Sequence, residues 1–147
     1  MSHFQIKILV LWNVFLLGLL FHTDLGLMPL FHGLNVAHSD PHQATADVGL
    51  IFWLMLAFFA LPLWLMVFTA FNDSLPFRRT HFAMTVLYSV LNFFHLLADL
   101  MVVPVVWSQI ALMLMLFLFG LGLNWVGFQW MREKLGSHPE VVGSDRV

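Results

Sequence analysis

Four long apolar stretches leave this chain few ways to fold. They run over about 4–28, 48–71, 81–106 and 107–131 of its 147 residues, and each supplies the roughly 20 residues that an α-helix needs to cross the hydrocarbon core of a bilayer. Inside lipid only helices and closed barrels satisfy their own backbone polar groups, and runs this long and this uniformly apolar read as helices rather than alternating strands. The expected fold is an all-α integral membrane protein, a four-transmembrane-helix antiparallel bundle forming one membrane domain over 1–131, with a polar tail over 132–147. Composition agrees: 61% of the residues are apolar and 10% charged, which excludes a soluble domain. The bilayer is the first partner, and no nucleic-acid partner is expected. The chain has no cysteine, so disulfides, thiolate metal sites, iron–sulfur clusters and covalent c-type haem are excluded, while His, Asp, Met and Tyr remain as ligands.

The punctuation between the stretches is clear. Pro29, Ser39-Asp40-Pro41, Asn72-Asp73-Ser74 and Pro76 separate spans one, two and three, and Pro104 followed by Trp107 marks a tight turn between three and four. Pro62 falls inside span two, where it deletes a backbone donor and calls for a neighbour to cover the freed carbonyl. Lys7, Arg78, Arg79, Arg132, Lys134 and Arg146 all fall on one side of a four-span chain, so the positive-inside rule predicts cytoplasmic N and C termini and an outer loop over 29–47. No small-x-small cleavage pattern follows the first apolar run, which reads as a retained span. A prokaryotic inner or thylakoid-type membrane is the expected location.

The third stretch carries the chemistry. His81, Thr85, Tyr88, Asn92, His95 and Asp99 recur at helical spacing within an arc of roughly 80° and over roughly 27 Å of helix. Ionisable groups at that depth are costly, by roughly 2.5–3.5 kcal/mol for an Asp near the bilayer centre, so the seam reads as a site. A second concentration lies at the outer end, where His22, His32, His38 and His42 accompany Asp24, Asp40 and Asp47 without a Lys or Arg. Depth joins the two groups: His22 on span one and His95 and Asp99 on span three lie at comparable distances below their outer ends. The expected metal ligands are therefore His22, His32, His38, His42, His95 and Asp99, with Tyr88 and Asn92 beside His22 and His95 around the bound cofactor. A metal ion (Fe, Cu or Zn) or haem b is the expected cofactor.

Gln109, Gly120, Asn124 and Gly127 share a face of span four and predict seam-to-face packing of spans three and four, with span one closing the outer half. Span two, lacking ionisable residues, is expected against lipid or another subunit. The six tryptophans read as interfacial anchors. Three functions fit the pattern: metal or haem binding near the outer face, with electron transfer to a quinone; an accessory or assembly subunit of a larger membrane complex; and a proton or cation pathway along His81, Tyr88, His95 and Asp99, which a bundle this small would build as an oligomer. Spans two and four hold no histidine, leaving at most one axial pair for haem. In architecture alone the chain resembles small four-helix membrane cytochromes of the b type, a likeness that by itself implies no function.

Overall fold

The computed structural model describes residues 1–34 and 45–133, the side chains of 45–48 excepted. Four α-helices follow one another: α1 (His3–Phe31), α2 (Thr45–Phe71), α3 (Leu75–Leu100) and α4 (Trp107–Arg132), with no strand among the described residues. All four are long and apolar enough to cross a membrane, which makes this a multi-pass membrane protein.

Local chemistry sets the helix ends. Ser2 and Gln5 form a reciprocal capping box that starts α1. The third span, expected from His81 to Val106, is helical from Leu75 to Leu100 instead. Pro76 stands in the first turn of α3, where a missing N–H removes no helical bond, so it opens the helix rather than breaking the chain ahead of it. At the other end Pro104 disfavours helical geometry for the residue before it, and 101–106 form a non-helical connection despite their apolar side chains.

Register shows alternating directions. Gln5 near the start of α1 donates to Thr69 O near the end of α2, while His22 and Leu54 line one cavity at the opposite end. Helices α1 and α3 run side by side in the same direction, since Trp12 meets His81 and His22 meets His95. Helix α4 runs against both: a Cβ on Gly18 would strike Leu116, and one on Gly26 would lie 3.3 Å from Gln109 Nε2. It packs most extensively on α3 and next on α1, whereas α2 lies at the periphery against α1.

The core is built on a stripe of α1. Ile8, Trp12, Phe15 and Leu19 are buried at alternating steps of four, three and four residues, flanked by buried Gln5 and His22. They meet Tyr88 and Leu96 of α3 and Met113, Leu116 and Leu123 of α4. Trp12 and Trp130 are fully buried, so these two serve packing rather than interfacial anchoring, while Trp53, Trp64, Trp107 and Trp125 are exposed. The polar seam of α3 lies between α1 and α4. Trp12 stacks edge-on against both His81 and Tyr88, and Trp130 of α4 stacks edge-on against His81 with centroids 5.6 Å apart. Asn124 Nδ2 of α4 donates to Ser89 Oγ at 2.9 Å, and a Cβ on Gly120 would lie 3.0 Å from Ser89 Oγ and one on Gly127 3.7 Å from Thr85 Oγ1. Small residues on α4 let the two backbones approach, as its face in the sequence predicts.

Two polar arrangements fix the frame. Pro62 has no N–H to offer the carbonyl four residues earlier, and that carbonyl, Phe58 O, accepts a 2.7 Å hydrogen bond from the Tyr88 hydroxyl. At the far end of the bundle Arg78 is 2% exposed. It donates to Asp73 O and Oδ1 at 3.1 and 3.0 Å and to Trp130 O and Glu133 O at 2.9 and 3.0 Å. Trp130 Nε1 closes the network on Asp73 Oδ1 at 3.0 Å. The guanidinium thus caps the last carbonyls of α4 and ties them to the α2–α3 connection.

Candidate metal centre

Three side chains converge where α1 and α3 meet near the end of α3. His22 extends the buried stripe of α1, and His95 and Asp99 stand one turn apart on the seam of α3. His22 Nε2 lies 3.4 Å from Asp99 Oδ2, and His95 Nε2 lies 3.6 Å from Asp99 Oδ1. The two imidazoles meet edge to face with centroids 5.2 Å apart. One ligand atom from each residue can be chosen so that all three lie within 4.8 Å of one another. A transition-metal ion bound at the usual 2.0–2.2 Å would hold its ligand atoms about 3–3.5 Å apart in a tetrahedron. The 3.4 Å between His22 and Asp99 Oδ2 falls within that spacing, and the 3.6 Å between His95 and the other carboxylate oxygen lies just beyond it.

The polar atoms here are poorly served by the protein itself. Contacts of Asp99 with the histidines are close but not aligned as hydrogen bonds, and Asp99 Oδ2 and His22 Nδ1 are buried without a partner. Asn92, 2% exposed and one turn before His95 on the seam, has neither its amide nitrogen nor its oxygen bonded. Buried groups left unsatisfied cost about 1–3 kcal/mol each and are rare in folded proteins, so several at one place need an explanation. His95 opens outward, its side chain 49% exposed. A cavity of about 310 Å³ lies against both histidines, its remaining wall formed chiefly by Leu54, Met55, Phe58 and Phe59 of α2.

Other expected site residues are placed elsewhere. Tyr88 commits its hydroxyl to Phe58 O and packs on Trp12, so it ties α3 to α2 rather than pointing at the cluster. His32 caps the end of α1 and is exposed, ten residues beyond His22, or about 15 Å along the helix axis. His38 and His42 lie outside the described residues. His81, at the opposite end of the seam, accepts a 3.1 Å hydrogen bond from Trp12 Nε1. Indole is a donor only and cannot pass a proton onward. Thr85 and Ser89 bond to the backbone of their own helix, and the polar groups of the seam therefore bond away from one another. The four α2 residues of the cavity wall carry no signal in the sequence, because apolar side chains in an apolar span announce neither depth nor neighbour.

Comparison with known protein families, with characterised proteins and with solved structures finds no match to this chain.

Proposed function

We propose that this chain is a multi-pass membrane protein that binds one transition-metal ion, Fe, Cu or Zn, through His22, His95 and Asp99. The observation that carries the reading is the convergence of two imidazoles and a carboxylate from two helices, with ligand atoms within 4.8 Å of one another and buried atoms among them that no protein group satisfies. Two histidines and one carboxylate are a donor set that zinc and non-haem iron accept while keeping further positions open. Asn92, buried one turn from His95 with its amide unpartnered, is placed to supply an outer hydrogen bond to a ligand once the ion is bound. Haem b is the weaker fit, because an axial pair must face each other across a porphyrin, whereas His22 and His95 meet edge to face with Asp99 in contact with both. Iron or copper here would support electron transfer with a quinone, which zinc would not.

The basic residues Lys7, Arg79 and Arg132 cluster at the other end of the bundle, so the positive-inside rule turns the metal centre toward the outer face of a prokaryotic inner or thylakoid-type membrane. A reporter fused after Asp40 should be active outside and one after Arg79 inside; the reverse pattern would overturn this orientation.

Elemental analysis of the protein purified in mild detergent should find about one metal per chain, and His95→Ala and Asp99→Asn should each lose it. A sharp haem band in the reduced-minus-oxidised spectrum would replace the ion with haem b. A colourless, metal-free and stable protein would sink both and turn the reading to an accessory subunit of a larger membrane complex.

A further inference from the structure

We infer that the cavity beside the metal centre binds a lipid-borne carboxylate, a fatty acid whose head completes the coordination of the ion and whose chain lies against α2. The inference rests on the metal reading above. It begins from charge. A divalent ion held by two neutral imidazoles and the single carboxylate of Asp99 keeps one uncompensated positive charge, which is costly where water is excluded. Among the described residues no further carboxylate joins the three ligands, and Asp24 lies on the exposed side of α1. Among the described residues, the site lacks one negative charge.

Shape then says where that charge comes from. The cavity, of about 310 Å³, has its nitrogen-bearing groups at His22 and His95, and the remainder of its wall is mainly Leu54, Met55, Phe58 and Phe59. A volume of this size suits a small amphiphile rather than a polar metabolite. Leu54 and Met55 are also largely exposed on the outside of the bundle. Helix α2 packs mainly on α1 and touches α3 through Phe58 and Tyr88, so the cavity is bounded by a helix that faces lipid on its other side. Entry is therefore from the bilayer, and the ligand is a molecule dissolved there. The polar end would meet the half-exposed His95, which borders the cavity. A neutral quinone would fill the same space without balancing the charge.

The test uses the full chain in nanodiscs of ether-linked phosphatidylcholine, loaded with Co²⁺ so that the visible bands report coordination. Decanoate should shift the cobalt bands and bind at least about tenfold more tightly than decanol, decylbenzoquinone or acetate. Met55→Trp, and independently Thr23→Phe on the α1 side of the cavity wall, should weaken decanoate by about tenfold while leaving the cobalt content unchanged. Equal binding of decanol or the quinone would overturn the anionic head, equal binding of acetate would overturn the chain site, and decanoate binding insensitive to both variants would place it elsewhere. Full cobalt content with no response to decanoate would overturn this inference and leave the metal centre standing. Failure to hold cobalt at all would overturn both.

Discussion

The two ends of the bundle handle buried polarity in opposite ways. At one end Arg78 distributes its donors over Asp73, Trp130 and Glu133, and its charge is balanced by Asp73 at 3.0 Å and shared with the Trp130 ring. At the other, His22, Asn92 and Asp99 hold buried atoms with no partner. A saturated network is structural: every group in it is already spoken for, and it does its work by being rigid. An unsaturated one has chemistry left over, and on the metal reading proposed above that surplus is what the ion would take up. The contrast lies between whole networks rather than single histidines, since His81, fully buried, accepts from Trp12 at Nε2 yet leaves Nδ1 without a partner.

This comparison can be broken by mutation. Replacing Arg78 by Leu should have the largest effect, a loss of about 3 kcal/mol, because it strands the carbonyls of Trp130 and Glu133 and the carboxylate of Asp73. A thermal midpoint in detergent that stays put would show the network to be dispensable. Between the ends, Gly120→Ala should cost about 1 kcal/mol by pressing its methyl group on Ser89 Oγ, the acceptor of the Asn124 side chain. At the unsaturated end, His22→Leu and Asn92→Leu should change the stability of the metal-free protein by less than about 1 kcal/mol, in either direction, since each removes unsatisfied atoms along with the contacts. The same Asn92→Leu protein should bind metal about 10-fold to 100-fold more weakly, measured by competition with a chelator. A stability loss at His22 as large as that at Arg78 would erase the distinction. Trp64→Leu, on the exposed face of α2, should do nothing to either reading.

Much of this arrangement is legible in the amino-acid sequence. Length and hydropathy set the four helices, and the recurrence of His95 and Asp99 one turn apart, with His22 at matching depth, picks out the three side chains that converge. Periodicity names the face of a helix but not every neighbour it meets, which is why the small-residue face of α4 is legible as a partner of the seam, realised by Asn124 and Ser89, while the cover that Trp12 of α1 adds over His81 and Tyr88 is not. Trp12 and Trp130 pass for interfacial residues because tryptophan has two homes in membrane proteins, and composition does not tell them apart. Arg78 reads in the sequence only as a topological charge. Its burial depends on Asp73 and on the carbonyls at the end of α4, and backbone acceptors leave no trace in a sequence.

Helix α2 is fastened rather than embedded. Among the described residues two hydrogen bonds reach it from other helices, Tyr88 to Phe58 O and Gln5 to Thr69 O. Both grip carbonyls that its own backbone leaves free, one orphaned by Pro62 and the other within the last turn. The two pins are 11 residues apart, about 16 Å along the axis. From Phe58 back to Thr45 the helix runs about 20 Å, carrying Leu54 and Met55, with no hydrogen bond to another helix among the described residues. The wall beside the histidines is thus anchored at its inner edge by a proline-freed carbonyl and a tyrosine hydroxyl.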